Sequence, residues 1–579
     1  MAYLNVETSL TGRRWVGPDP EVERQTEALA QITRLPPQLC AVLARNKVSA
    51  EGVSDFLAPS LRTLLPDPML LRDMDKAAER LLAALKSREK IAVFADYDVD
   101  GGASAALLLT WFREMGHDAT LYIPDRIDEG YGPNEPAMEA LAADHGLIVC
   151  VDCGTLSHGP IAAAKGADVV VVDHHLGGET LPPALAVVNP NRQDESGDLG
   201  HLCAAGVVFL LLVDMNRRLR AQGTQGPDLM AMLDLVALAT VADVAPLIGV
   251  NRAFVRQGLT VMGRRSRPGL VALSDVARVD TALKSYHLGY VLGPRVNAGG
   301  RIGAADLGAR LLATKDPNEA GQIAARLDQL NDERRAIEAA VREEAMAQAE
   351  RRGVEGPLVW AAAEGWHPGV IGIVAARLKE ATNRPSVVIA LDGAEGKGSA
   401  RSVAGVDLGA AIQRLAAEGL LIKGGGHRMA AGLTVARDQL EPAMERLAAL
   451  LSKQGASIGG AGDLRLDGVL MPGAATVELI ESLDSAGPYG QAAPAPRFAF
   501  PSISILDARR VGANHLKVRF GDIGGPQLEA IAFGAYDTAL GPAVEGAGLA
   551  KLHLAGRVEI NSFGGRNRVQ LKLDDAARA

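Results

Sequence analysis

Aromatic residues make up only 4% of the 579-residue chain, and cysteine occurs four times, at Cys40, Cys150, Cys153 and Cys203. Four scattered cysteines exclude a disulfide framework. The Cys150-x-x-Cys153 pair has no second pair to complete a zinc site and lies in a hydrophobic strand, so all four read as buried structural thiols. No uninterrupted apolar run reaches about 18 residues. Met1 to Trp15 holds no apolar stretch behind a basic start. The expectation is a cytoplasmic protein with no membrane partner. Excess basic charge is missing too: the formal net charge is −9, against the basic footprint of a generic nucleic-acid binder. With 48% apolar and 22% charged residues the chain is globular, and its length calls for about three to five units rather than one core.

The most informative stretch is Ile91 to Gly102, apolar to its middle and then carrying Asp96, Asp98 and Asp100 before two glycines. It reads as a buried strand discharging into an acidic loop. A spacing of two puts alternate side chains on one side of an extended chain, so the three carboxylates would crowd at the strand's exit. Two charges about 4 Å apart at an effective dielectric of about 20 repel by roughly 4 kcal/mol, too much for a domain to leave uncompensated. Protons or cations must neutralise them. Clustered hard oxygen ligands suit magnesium, manganese or calcium, and added imidazole tilts the choice toward manganese. In isolation the same pattern also fits an acidic surface turn.

From Ala77 to Asp243 short apolar runs alternate with amphipathic stretches, the pattern of strands crossing through helices into a parallel sheet. Runs ending at Asp96, at Pro124-Asp125-Arg126, at Asp152-Cys153-Gly154 and at Asp173-His174-His175 mark four strand ends. In open α/β sheets ligands gather at the carboxyl ends of the strands, so these groups are expected to converge. Leu233 to Ala242 is apolar all round, a buried helix delivering Asp243. A lone His174 or Asp243 would read as a satisfied structural group. Several acidic or histidine-bearing termini in one sheet favour a two-metal phosphoester site.

Asp96-Tyr97-Asp98-Val99-Asp100-Gly101, Asp152-Cys153-Gly154, Asp173-His174-His175 and Thr240-Val241-Ala242-Asp243 resemble, in order, the four motifs of the DHH phosphoesterase superfamily. Glu129-Gly130-Tyr131-Gly132-Pro133-Asn134, Leu292 to Ile302 and Gly424-Gly425-Gly426-His427 are similar to the RecJ branch, with coverage from about residue 75 to the end. The resemblance implies a 5′-to-3′ exonuclease specific for single-stranded DNA, acting in repair and recombination. Its implied cofactors are two divalent ions, Mn2+ or Mg2+, held by Asp96, Asp98, Asp100, Asp152, His174 and Asp243, with Asp152 as bridge. It also implies His175 beside the scissile phosphate, a single-strand-binding protein and a helicase as partners, and a monomer. One departure is Phe94, where many superfamily members have histidine four residues before the first aspartate of their D-x-D pair; Asp96 stands as its replacement.

Asp316-Pro317-Asn318-Glu319 opens a helix that runs to Gly353, about 36 residues and about 54 Å long. Ile323, Leu327, Leu330, Ile337 and Val341 form one apolar stripe, and Arg334, Arg335 and Arg342 mixed with Glu333, Glu338 and Glu343 read as a solvated strut. Residues 354–452 combine strand-like Leu358-Val359-Trp360 and Val387 to Leu391 with a helix over Pro368 to Lys379. Gly396 to Ser402 and Lys423 to Arg428 read as glycine-rich loops whose amides can approach phosphate oxygens, although glycine-rich turns are often only turns. Similarity to the DHHA1 substrate-binding domain implies that Arg295, Ser399 and Arg401 help hold the 5′-terminal phosphate, and adds Arg301 and His427 to the substrate-binding set.

Gly455 to Gly462 reads as a linker. Beyond it His515 to Phe520 alternates strictly, with His515, Lys517 and Arg519 on one face as DNA-binding candidates and three apolar residues on the other. Gly564-Gly565 separates two further strands, and an OB-type barrel fits. The expected architecture is α/β: a helical supporting region (1–75), a parallel-sheet DHH domain (76–315), a connecting helix (316–353), a smaller α/β DHHA1 domain (354–452) and an OB-type β-barrel (453–579). Rival readings are a DHH phosphodiesterase for short oligonucleotides or nucleotides, and a non-catalytic scaffold that binds single-stranded DNA.

Overall fold

The computed structural model describes residues 2–126, 129–456, 462–522, 524–563 and 566–579. The Gly564-Gly565 turn and residues 457–461 of the expected linker lie outside the described residues. Two compact units are present: Pro59–Ile337 with Pro488–Ala493, and Met1–Ala58 with Glu338–Gly487 and Pro494–Ala579. The amino-terminal region expected over residues 1–75 therefore divides at Ala58. Its two-residue strand Trp15–Val16 pairs in parallel with Leu464–Arg465, and the fully buried Trp15 donates its indole N–H to Asp575 at 2.9 Å. Among the described residues no helix is long and apolar enough to cross a membrane, and all four cysteines are free and buried.

The first unit is built on five parallel strands, β1 (Ile91–Ala95), β2 (Ala119–Tyr122), β3 (Leu147–Val151), β4 (Asp168–Val172) and β5 (Ala186–Val188), in the order β2-β1-β3-β4-β5. Continuous apolar strands require cover on both faces. Ile91, Val93 and Ala95 join one core, while Ala92 and Phe94 join a second on the opposite face. After β1 the chain passes to β2 on one side and returns to β3 on the other, so the order reverses between β1 and β3. Ligands bind at such a switch point. Helices α1 (Val99–Glu114), α2 (Ala204–Ala221) and α3 (Leu233–Ala242) share the first core, and Leu233 to Thr240 are buried on every side, as expected of this segment. A π-helical turn, Leu288–Leu292, leads into α4 (Gly293–Ile302).

The three aspartates after β1 do not alternate along an extended chain. Asp98 caps α1, its Oδ1 accepting the N–H groups of Asp100 (2.9 Å) and Gly101 (3.1 Å), and Asp100 already lies in the first helical turn. Capping satisfies amides that would otherwise be orphaned, so the helix starts at once. Gly101 permits the tight entry: a Cβ there would stand 2.4 Å from the Asp96 carbonyl oxygen.

Helix α5 (Pro317–Arg352) has the expected 36 residues. Ile323, Leu327, Leu330 and Val341 are buried and Ile337 half-buried. Arg334, expected in solvent, is instead buried and donates to Asn331 Oδ1 at 3.0 Å.

The second unit contains β6 (Val359–Glu364), β7 (Ser386–Asp392), β8 (Glu395–Arg401), β9 (Lys423–His427) and β10 (Ala430–Ala436), ordered β9-β10-β8-β7-β6. Helix α6 (Pro368–Thr382) crosses between the parallel strands β6 and β7; it starts where expected and continues three residues past the expected end at Lys379. Both expected glycine-rich loops are largely strand, β8 and β9. The reason lies in packing: a Cβ on Gly398 would meet Leu433 at 2.8 Å and Ile389 at 3.0 Å, so glycine makes room for neighbours across the sheet. The carboxyl-terminal barrel comprises β11 (Phe498–Val511), β12 (His515–Gly521), β13 (Gln527–Ala532), β14 (Lys551–Phe563) and β15 (Arg566–Arg578). It closes through the β11–β14 pairing around buried Phe498, Phe500 and Phe520, the expected OB-type architecture.

Candidate metal centre

The polar groups at the carboxyl edge of the first sheet converge. Asp96 follows β1, Asp152 follows β3, His174 and His175 follow β4, and Asp243 caps the end of α3. Three overlapping sets have ligand atoms within 4.8 Å of one another: Asp96 with Asp98 and Asp152, Asp100 with His174 and Asp243, and Asp152 with His174 and His175. All six expected ligands belong to these sets, and Asp152 and His174 each belong to two. His174 Nε2 lies 3.2 Å from Asp152 Oδ1 and 3.7 Å from both Asp100 Oδ2 and Asp243 Oδ2. Asp152 holds a left-handed backbone (φ 59°), uncommon for a residue with a side chain and typical of functional turns. Phe94, at the superfamily's histidine position, stacks on Tyr122 within the sheet's other core, and Asp96 supplies the carboxylate beside Asp98.

Burial, followed by repulsion from Asp98, raises Asp96 well above the ordinary carboxylate range. Asp152 and Asp243 are raised likewise, by burial and then by their acidic neighbours, Asp100 first. Burial also raises Asp100, although His174 and two amides oppose the shift. Those amides, Ala204 N–H (2.6 Å) and Ala205 N–H (2.8 Å), are the open start of α2, where a helix favours negative charge. Among the described residues no hydrogen bond reaches Asp96 Oδ1 or Asp152 Oδ1, both deeply buried. Orphaned carboxylate oxygens at such a focus are costly without a cation. Carboxylates with imidazole fit Mn2+ or Mg2+.

A supporting network surrounds these residues; its members Thr155, Asn189 and Asn191 were not singled out by sequence reasoning, and Tyr131 stood only within the Glu129-to-Asn134 motif, with no role assigned. Asp173 Oδ1 accepts His174 N–H (2.7 Å), His175 N–H (3.2 Å) and His175 Nδ1–H (2.8 Å). Its Oδ2 accepts both the N–H (3.1 Å) and the hydroxyl (2.7 Å) of Thr155. Burial works against the Asp173 charge, but His175 and the Thr155 donors outweigh it and hold the carboxyl far below its usual range. Burial likewise disfavours the His175 imidazolium, yet its bond to Asp173 pushes it up to about 9. Asn189 Nδ2 donates to the His175 carbonyl and to Thr155 Oγ1, both at 2.8 Å, and Asn191 Nδ2 donates to the His174 carbonyl at 2.5 Å. Tyr131 Oη lies 3.2 Å from His175 Nε2. The available signal was the Asn189-Pro190-Asn191 triplet directly after β5, polar groups at yet another strand end.

The remaining candidates are spread over both units. On α4, the buried Arg295 donates to Asp328 Oδ1 and to the Val291 carbonyl, each at 2.8 Å. Arg301 lies in the last turn of the same helix, and Asn297 Oδ1 ties α4 to α1 by accepting Val99 N–H at 3.0 Å. In the second unit Ser399 and Arg401 come together, with Arg401 Nη1 donating to Ser399 Oγ at 3.1 Å, while His427 is exposed at the end of β9. On the barrel Leu516, Val518 and Phe520 point inward and His515, Lys517 and Arg519 outward. Lys517 is engaged by Glu529 at 3.0 Å and His515 Nδ1 accepts Gly534 N–H at 3.1 Å, so protein groups already occupy two of these three.

Comparison with known proteins agrees with this layout. The chain matches the DHH family, N-terminal domain, over residues 90–240, the DHHA1 domain over 355–453 and the RecJ OB domain over 466–575. The single-stranded-DNA-specific exonuclease RecJ of Dickeya dadantii is 40% identical over 566 residues, covering 94% of this chain and 97% of that protein. The protein of that name from Escherichia coli is 37% identical, covering 96% and 99%. The crystal structure of RecJ in complex with Mn2+ from Thermus thermophilus matches with a TM-score of 0.81 at 29% identity, over 98% of this chain and 79% of that one. The chain therefore belongs to the RecJ family of DHH phosphoesterases.

Proposed function

We propose that this chain is a metal-dependent exonuclease that hydrolyses phosphodiester bonds of single-stranded DNA, working from the 5′ end in DNA repair and recombination. Its family supports the substrate, since the relatives above are named single-stranded-DNA-specific exonucleases. The observation that carries the chemistry is the convergence of Asp96, Asp98, Asp100, Asp152, His174 and Asp243, with two buried carboxylate oxygens that no hydrogen bond satisfies. These residues would hold two divalent ions, Mn2+ or Mg2+, with Asp152 shared between them. When bound, such ions supply an activated water and offset negative charge on the phosphate.

The chain's own residues do the rest. Asp173 fixes His175 through Nδ1 and so directs Nε2 away from the protein core. With Asp173 favouring its imidazolium form, His175 would stabilise charge on the scissile phosphate or give a proton to the leaving oxygen. Arg295, Arg301, Ser399, Arg401 and His427 contribute to binding the strand and its terminal phosphate, and the outer barrel face with His515, Lys517 and Arg519 to tracking the strand. A monomer acting in the cytoplasm with a single-strand-binding protein and a helicase completes the reading.

The test uses 5′-phosphorylated single strands with Mn2+ or Mg2+, against duplex and dinucleotide controls. Progressive release from the 5′ end is expected. Preference for the dinucleotide would transfer the site to short substrates, and no hydrolysis of any substrate would reject the enzyme.

A further inference from the structure

Three of the eight tyrosines are exposed, Tyr131, Tyr286 and Tyr290, and in a chain with so few aromatics their positions are informative. Tyr131 adjoins His175. Tyr286 and Tyr290 stack on one another, ring centroids 5.2 Å apart and planes 23° from parallel, yet remain 56% and 70% exposed. Residues four apart on a helical turn share a face, so the two rings form one aromatic surface turned to solvent.

The opposite side of this turn is anchored. Leu288 and Leu292 are fully buried. The missing side chain of Gly289 would lie 3.4 Å from Val241, and that of Gly293 would lie 3.1 Å from Ala242. The turn is thereby clamped to the last residues of α3, immediately before the ligand Asp243. A π-helical turn at this point is itself a common mark of a functional site. We propose that Tyr286 and Tyr290 form a stacking platform for a nucleobase of the single strand whose phosphate lies at the metal centre. The inference rests on the nuclease reading and adds to it a binding group for the base. Stacking suits a substrate of any sequence, because every base presents a π face, and a paired base in a duplex is not free to meet it.

The platform is tested with a 5′-phosphorylated oligonucleotide carrying 2-aminopurine at one position at a time from the 5′ end, bound without added metal. The wild-type protein is expected to quench the probe at one position. In the Tyr286→Ala/Tyr290→Ala double variant that quench disappears and the strand binds about tenfold more weakly, within the range of one lost base stack. Tyr290→Phe, which keeps the ring, retains both. An abasic site at that position should make wild-type and double variant bind alike. Unchanged Mn2+ titration of the variant checks that the metal centre is intact. Equal quenching in wild-type and double variant, or an equal loss of affinity on intact and abasic strands, overturns the platform. A strand that is quenched but never cut instead counts against the nuclease reading and leaves the platform standing.

Discussion

The Nδ1–H of His175 points at Asp173 Oδ1, 2.8 Å away, and that carboxylate accepts four further hydrogen bonds. Asp173 is thus saturated by donors within the protein, while His175 is held with its other nitrogen outward. We expect His175→Ala to lower kcat by about 10²–10⁴-fold, the usual worth of a positioned proton donor. Mn2+ affinity, measured by calorimetry, should stay near wild type; equal loss of both would refute this separation of roles.

The same pair makes a signed prediction about stability without metal. His175 rises from an ordinary value near 6.5 to about 9, so its contribution is complete below 6.5 and disappears as pH climbs through 9. Asp173→Asn should cost about 1–3 kcal/mol at pH 6, less than for a fully buried ion pair because the His175 side chain is 35% exposed and partly screened by solvent. In urea denaturation with chelator the gap between wild type and variant should narrow by pH 10.

Asp96, Asp100, Asp152 and Asp243 shift the opposite way to a stabilising carboxylate. Their raised values mean that the folded protein binds more protons than the unfolded chain above about pH 4. Their contribution therefore falls as pH rises through that window. Metal binding must displace these protons, so the gain in Tm on adding Mn2+ should grow from pH 5.5 to pH 8. Asp152→Asn should raise the metal-free Tm and remove most of the Mn2+ response, because it deletes one repelling charge and a carboxylate that belongs to two of the three candidate ligand sets. A Tm gain independent of pH would contradict this account.

Gly101→Ala places a methyl group 2.4 Å from the Asp96 carbonyl oxygen. Backbone cannot yield as a side chain does, so about 1–3 kcal/mol of stability should be lost. Asp96 would move with the strain, and Mn2+ titration should report weaker binding along with the lower denaturation midpoint.

Val244, next to Asp243, is 62% exposed and holds φ at 59°, a conformation hostile to a β-branched residue. Its N–H closes the end of α3 on the Val241 carbonyl at 3.2 Å, a position that glycine usually fills. Val244→Gly should stabilise the protein by about 1 kcal/mol. A drop in thermal midpoint would mean that the exposed isopropyl group packs on something in the folded state.

The parallel sheet and its acidic rim were legible because each of β1, β3 and β4 carries an apolar run followed at once by an aspartate. The burial of α3 was legible because its sequence has no polar side. Gly398 misled because a glycine that makes room for Leu433 and Ile389 looks, in sequence, like one that frees a loop. Arg334 misled because charge balance cannot reveal that Asn331 lies within hydrogen-bond reach. Asn189 and Asn191 escaped notice because they hold the histidine segment through its backbone carbonyls, which leave no trace in residue identity.

Residue order alone determined which groups meet, since carboxylates and histidines that follow buried parallel strands gather at one sheet edge, where protons or cations must offset their charge. Tertiary structure decided the division of labour among them. Which aspartate caps a helix, which is saturated by neighbours and which keeps an unsatisfied oxygen depends on hydrogen-bond directions between segments up to about a hundred residues apart, as Asp100 with Ala204 and Ala205 illustrates. Local sequence carries no record of those directions.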